Sequence, residues 1–218
     1  MKDATREIAP ATVNSERNSK QAGDTRARWA WVEPAVWSER MLTALEEGVK
    51  GGVWFSLVDK LWAPQGLTRA WERVRGNRGA GGVDGETVEQ FSKHAEERLM
   101  KLSVSLKDGT YQPLPVRRVY IPKPDGGQRP LGIPAVCDRI VQTALRNVLE
   151  PIFEVEFCER SYGFRPGRGA KDALRRVDGL LKAGYRFVVD ADLHSYFDTI
   201  PHDRLMALLE RRVADGRI

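Results

Sequence analysis

Histidine, cysteine and long apolar runs are what this chain has least of, and each scarcity argues against a class of function. Two cysteines, Cys137 and Cys158, and three histidines are spread through 218 residues. Neither cysteine belongs to a CxxC pair or to a Cys/His cluster, which argues against a zinc site. Both thiols are expected to be reduced and packed. No stretch of about 18 apolar residues occurs, so no segment is expected to span a bilayer. The opening MKDATREIAPATVNSERNSK lacks the apolar core that drives export, which makes the cytoplasm the expected location. No internal repeat is visible. What is present is 41% hydrophobic and 30% charged, the composition of a globular protein. The formal net charge of +5 favours an anionic partner, either nucleic acid or a membrane surface.

The chain changes texture along its length. Residues 1–25 are polar and mixed in charge and are expected to form a mobile tail. Residues 26–76 hold all six tryptophans among arginines and lysines. Trp37, Met41, Leu42 and Leu45 recur at helical spacing, as do Leu67, Ala70, Trp71 and Val74. Two or three amphipathic helices with aromatic core residues account for this pattern. A basic, aromatic surface on RNA accounts for it too, with rings stacked on bases and arginines on phosphates. Gly76 to Phe91 begins with a glycine-rich loop. Thr87 and Gln90 then predict a capping box for one helix carrying Val88, Phe91, Ala95 and Leu99.

Val116–Pro122 and Gln128–Ile133 predict two strands joined through Asp-Gly-Gly into a hairpin. Val136, Ile140, Ala144 and Val148 mark a helix with Pro151 near its end. Ala170, Ala173, Leu174, Val177 and Leu181 mark another, stopped by Gly184. Tyr185–Leu193 reads as a buried strand. Thr199 or Asp198 is expected to cap a final helix through Leu205, Leu208, Leu209 and Val213, with Pro201 in its first turn.

The acidic end of the predicted buried strand is the first segment with chemistry in it, FVVDADLHSYFDTIPHDRL. Asp190 and Asp192, two apart on a strand, point to one face. Two like charges there call for a cation, and Mg²⁺ takes carboxylate oxygens together with substrate phosphates. The alternative stays open that one carboxylate is solvated and the other caps the next turn. Phosphatases of the haloacid dehalogenase type also open with a strand and Asp-x-Asp. They place Thr or Val where this chain has His194, and they carry the motif near the chain start. The predicted hairpin is the second such segment, because Lys123 just before its turn and Arg129 just after it share one tip. Solvated edge protection would need the same residues. His194 and His202 have no evident proton-transfer partner and are read as structural or exposed.

Four strings then occur in order: IPKPDGGQRPLGIP, DRIVQ, SYGFRPGRGAKDAL and VVDADLHSYFDTIPH. In order and separation they resemble the fingers and early palm of group II intron reverse transcriptases, the intron maturases. GGVDGETVEQF upstream resembles the block that precedes the fingers in that family. The resemblance covers Arg78 to about Val213, and the Trp-rich region more loosely.

The resemblance implies an α/β fold, a partial right-hand polymerase with fingers over 77–184 and the first strand and helix of a palm over 185–218. A helical N-terminal extension would precede it over 26–76. Asp192 matches the first catalytic carboxylate, binding Mg²⁺, and Leu193 would add its backbone carbonyl. Lys123 and Arg129 match the cations that clamp the triphosphate of an incoming dNTP, and Phe197 the aromatic gate that excludes a ribose 2′-OH. Arg165 and Arg168 match the segment along which the template backbone runs. The implied partners are RNA, as intron or template, and a DNA primer, with no membrane.

One departure from the family shapes the expectation of activity. Two-metal catalysis needs a second carboxylate cluster, which the family carries on an aromatic-Ala-Asp-Asp hairpin. No such string occurs here, so the chain reads as an RNA-directed DNA polymerase by descent, truncated before that motif and inactive alone. The alternatives are an RNA-binding fragment without catalysis, a small phosphatase acting through Asp190, and a relic whose half palm leaves a sheet edge and apolar surface exposed.

Overall fold

The computed structural model describes residues 25–218 apart from Asp125 and His194. Residues 1–24 of the expected tail and the reading of His194 therefore lie outside the described residues, while Thr25, its last residue, opens the first helix. Helices dominate: α1 (Thr25–Arg28), α2 (Glu39–Glu47), α3 (Val58–Trp62), α4 (Pro64–Asn77), α5 (Val88–Ser92) and α6 (Ala95–Lys107) precede a hairpin. That hairpin is β1 (Arg117–Pro122) and β2 (Gln128–Ile133), followed by α7 (Val136–Glu154), α8 (Ala170–Lys182) and α9 (His202–Glu210). The result is a mixed helix and strand fold with one two-stranded antiparallel sheet among the described residues.

Helix α7 is the axis of the core. Val136, Ile140, Ala144, Val148 and Ile152 recur every four residues, and all are buried. That ridge serves two clusters. Its first half packs on Leu67, Ala70, Trp71 and Val74 of α4 and on Val88 and Phe91 of α5. Its second half packs on Trp29, Val36, Trp37 and Leu42. Each fully buried large side chain, Phe91 or Leu67 for example, contributes about 1.5–3 kcal/mol. Trp29, Trp37 and Trp71 are thus core residues; Trp71 lies on α4 as its helical spacing predicts, whereas Trp37 precedes α2 and Trp29 follows α1.

Pro151 explains one long-range contact. It has no N–H to give the carbonyl of Asn147 four residues earlier. The indole Nε1–H of Trp37 donates to that carbonyl instead, at 2.9 Å. Position 151 thus ties the N-terminal tryptophan region to α7.

Four expectations are corrected. The helix predicted from Val88 through Leu99 is two helices, because Lys93 N–H and His94 N–H close back on the carbonyls of Gln90 and Phe91. This three-residue closure tightens the chain, and α6 restarts at Ala95; the capping box of Thr87 and Gln90 is as predicted. Cys158 is exposed, not packed. Helix α9 begins at His202 behind Pro201 with no side-chain cap, since the Thr199 hydroxyl donates to the carbonyls of Ser195 and Tyr196 within a 3-10 turn.

The largest correction concerns residues 185–193, which form no strand, with Phe187 100% and Val189 94% exposed. A buried strand needs a ladder partner and a covering layer. The two strands among the described residues pair with each other. Among the described residues, no helix is long and apolar enough to cross a membrane.

Candidate functional site

The hairpin tip is built by local chemistry. Val119 stands opposite Leu131 and Ile121 opposite Arg129, and the ladder ends at Pro122 and Gln128. Lys123 N–H then donates to the Gly127 carbonyl at 2.7 Å, and Gly126 N–H to the Lys123 carbonyl at 3.1 Å. Gly126 has φ +83°, a left-handed value that glycine adopts without strain. Lys123 and Arg129 are thereby held at one end of the hairpin, and both are exposed. Exposed cations at a tip keep their full range of rotamers for an anionic ligand.

At the root of the hairpin lies a buried carboxylate that sequence reasoning missed. Asp138, in the first turn of α7, accepts from the Tyr111 hydroxyl and, at 3.1 Å, from the Leu114 amide. It is 4% exposed. Burial first, then the bond to Asp138, holds the Tyr111 phenol well above its usual range. The pair fixes the segment that enters β1. An Asp opening a helix was the available signal. Its partner 27 residues upstream gave none. Next to it, burial pushes the Cys137 thiol up to about 11, so this cysteine is a neutral packing group.

The loop of SYGFRPGRG is held from inside by Arg165. Its Nε and Nη2 donate to the Glu154 carboxylate, with Nη2 to Oε1 at 2.6 Å. Nη1 donates to the carbonyls of Cys158 and Ser161 at 2.5 and 3.0 Å. The guanidinium also lies 5.4 Å from the Phe157 ring centroid. With its side chain 5% exposed, Arg165 acts in this structure as a clamp within the fold. Arg168 is half-buried and donates to the Glu159 carbonyl.

Asp192 and Leu193 lie in the exposed segment before the 3-10 turn Tyr196–Thr199. The Leu193 amide donates to Asp192 Oδ1 at 2.9 Å. Phe197 is exposed, its ring edge-on to Tyr196 at 5.4 Å. The donor chemistry here, a carboxylate and a nearby carbonyl, suits a hard divalent cation. Its number is small: no group of three or more His, Cys, Asp or Glu that could hold a metal occurs among the described residues. The structure thus brings Lys123 and Arg129 together on one element, and Asp192, Leu193 and Phe197 on another.

A family model described as reverse transcriptase (RNA-dependent DNA polymerase) matches residues 121–217. The Escherichia coli K12 protein YkfC is 39% identical over 197 residues, covering 88% of this chain and 48% of that protein. The group II intron-encoded protein LtrA of Lactococcus lactis subsp. cremoris is 40% identical over 152 residues, covering 68% of this chain and 25% of LtrA. An uncharacterized 91 kDa protein in the cob intron of Schizosaccharomyces pombe is 37% identical over 150 residues, covering 68% of this chain and 18% of that protein. The chain spans about half the length of the first of these relatives and a quarter or less of the other two. The order of the sequence blocks, the reverse transcriptase match and the intron-encoded relatives agree, and over the stretches they cover the chain is similar to the group II intron reverse transcriptases and maturases.

Proposed function

We propose that this chain acts as part of an RNA-directed DNA polymerase of the group II intron kind, supplying its fingers and the beginning of its palm. The observation that carries this reading is the hairpin tip, where Lys123 and Arg129 stand exposed together inside the stretch that matches reverse transcriptases. In this reading Arg129 grips a phosphate of the incoming dNTP with its planar fork, and Lys123 adds a mobile point charge. Asp192 and the Leu193 carbonyl would hold Mg²⁺ by hard oxygen donors. When bound, the ion neutralises phosphate charge. Phe197 lies against the sugar and crowds a 2′-OH. Arg168 meets the RNA template backbone on the loop that Arg165 braces, with a DNA primer as the second strand.

Titration of the chain with a fluorescent dNTP in Mg²⁺ tests this directly. A charge-assisted bond contributes about 1.5–3 kcal/mol, so Lys123→Ala and Arg129→Ala should each weaken binding about 10- to 100-fold. Asp192→Asn should remove the Mg²⁺ dependence, and Phe197→Ala should admit ribonucleotides. Binding that is the same in all four variants would refute the reading.

A further inference from the structure

Packing does little to aim the hairpin that carries Lys123 and Arg129. β1 is exposed at every residue, and β2 at every residue before Ile133. A two-stranded ribbon without a covering layer is marginal in itself, and its direction is set where it is mounted. Both strands are mounted on the first turn of α7, the axis of the core.

The exit from β2 is fixed by shape. The chain passes through Pro134 into Ala135, which is fully buried. Gly82 lies so close that a Cβ on it would stand 2.6 Å from Ala135 N and 2.9 Å from the Pro134 carbonyl carbon. Arg139 holds the loop before Gly82, donating to the carbonyls of Arg78 and Ala80 at 3.3 and 3.0 Å.

The entry into β1 is fixed by hydrogen bonds. Asp138 accepts the Tyr111 hydroxyl on Oδ1 and the Leu114 amide on Oδ2, the latter at 3.1 Å. A carboxylate only accepts, and it has two oxygens, so this one side chain pins two points of the incoming segment. Tyr111 is anchored in its turn. Its ring packs on the core cluster shared by α4, α5 and α7, and its amide donates to the Ser105 carbonyl at 3.1 Å. Val116 then crosses Gly132 so closely that a Cβ at 132 would meet Val116 Cγ2 at 3.1 Å. An acid that served only the dipole of α7 would need no burial. Asp138 is 4% exposed, a costly place for a carboxylate, and both of its oxygens are spent on the root of the hairpin.

Leverage makes that root matter at the tip. β1 has six residues, about 20 Å at about 3.3 Å each, so a swing of about 10° at the root carries the tip about 3.5 Å. Misplacement by about 1 Å is already costly for groups that must meet a reacting centre.

We propose that Asp138 is a positioning residue for the hairpin tip. Through Tyr111 and Leu114 it sets where Lys123 and Arg129 stand toward the phosphates of an incoming nucleotide. The inference rests on the polymerase reading for that nucleotide, and it deepens the reading by naming a residue that acts on the site from the core.

The test reads the tip in two ways on the full chain. Titration with a fluorescent dNTP in Mg²⁺ reports its function, and pulsed electron paramagnetic resonance its position. Spin labels go on Gln128→Cys beside the tip and Thr68→Cys on α4, both exposed, with Cys137→Ala and Cys158→Ser removing the native thiols. Tyr111→Phe should weaken dNTP binding about tenfold. It should also broaden the distance between the labels by about 3 Å. Asp138→Asn should stay near the parent in both, since its amide can donate to the Tyr111 oxygen while its carbonyl accepts from Leu114. Val148→Ala opens the other half of the α7 ridge, away from the hairpin, and should change neither readout. In a Lys123→Ala background the cost of Tyr111→Phe should shrink to about threefold or less, because one of the two cations it positions is gone. The role is overturned if Tyr111→Phe leaves either the distance width or the binding at the parent value, or if Val148→Ala matches it in both. The polymerase reading fails separately, when Lys123→Ala and Arg129→Ala bind dNTP as the parent does, and the label distances then still decide whether Asp138 aims the tip.

Discussion

Replacing Tyr111 by Phe deletes one oxygen atom, and the structure sets what that oxygen does. The hydroxyl donates to Asp138 Oδ1, while the Leu114 amide occupies Oδ2 at 3.1 Å. Asp138 is 4% exposed, so Oδ1 has little access to water once the hydroxyl is gone. A hydrogen bond to a charged group contributes about 1.5–3 kcal/mol, and the stranded lone pairs keep the loss at that level. In a chain of this size each kcal/mol moves the melting temperature by about 2–4 °C, so Tyr111→Phe should melt about 3–12 °C lower. Asp138→Ala should cost more, because it also frees the Leu114 amide. The double variant should be little worse than Asp138→Ala alone, since both changes act through one carboxylate.

Alkaline pH offers a second readout of the same contact. Burial, and then the bond and charge of Asp138, raise the Tyr111 phenol above its ordinary value near 10. The folded chain therefore keeps a proton that the unfolded chain releases. This contribution is intact below about pH 10 and is lost as pH rises beyond it. Urea unfolding followed by circular dichroism should show that decline in the parent and a smaller one in Tyr111→Phe. A Phe variant within about 0.5 kcal/mol of the parent, or a fully additive double variant, would refute the reasoning.

Other outcomes follow from equally specific contacts. A Cβ at Gly82 would lie 2.5 Å from Ala135 Cα and 2.6 Å from Ala135 N, so Gly82→Ala must push backbone from backbone. It should destabilise by about 1–3 kcal/mol or more in chemical unfolding, whereas Gly85→Ala meets open space and loses only from its positive φ. Asp215 accepts from the Val58 amide at 2.9 Å and from the Arg217 amide at 3.3 Å. Burial alone would raise its pKa, but those two amides and the Arg217 charge outweigh it and hold the carboxyl below the usual range. Its stabilisation is therefore full above about pH 4 and lost as pH falls through the depressed value, and Asp215→Asn should remove that acid-side component in pH-dependent melting. Glu154→Ala should release Arg165, and limited trypsin digestion should then cut at Arg160 or Arg168 faster than in the parent, the Arg165–Pro166 bond itself being resistant.

What the sequence made legible is what short range decides. The α4 stripe of Leu67, Ala70, Trp71 and Val74, the Thr87–Gln90 capping box and the Asp-Gly-Gly hairpin each depend on residues within a turn or two of one another. The break between α5 and α6 is made by two backbone closures that apolar periodicity does not register, and the Trp37 bond to the Asn147 carbonyl and the Tyr111–Asp138 pair join segments far apart in sequence. Pro151 gave one usable hint, because a proline inside a helix leaves the carbonyl four residues earlier in need of a donor. Arg165 was legible as a cation but not as a clamp, since its carboxylate, Glu154, sits on the preceding helix.

The candidate nucleotide site divides along the same line. Lys123 and Arg129 lie six residues apart, and a turn fixes their neighbourhood whatever the rest of the chain does. Asp192 was read from an apolar run, and such a run becomes a strand only when another strand lends it hydrogen bonds. Residues 185–193 have β-forming side chains and no ladder among the described residues, and the exposed stripe of Leu174, Val177 and Leu181 on α8 has no cover there either. An exposed apolar run beside an uncovered helix face is the surface against which further sheet and helix pack in a layered α/β fold. The position of Asp192 is therefore conditional on what pairs with residues 185–193, whereas the hairpin tip is already formed. Supplying such a partner should order Asp192 without altering the tip, and hydrogen exchange at the 187–193 amides would report that ordering as new protection.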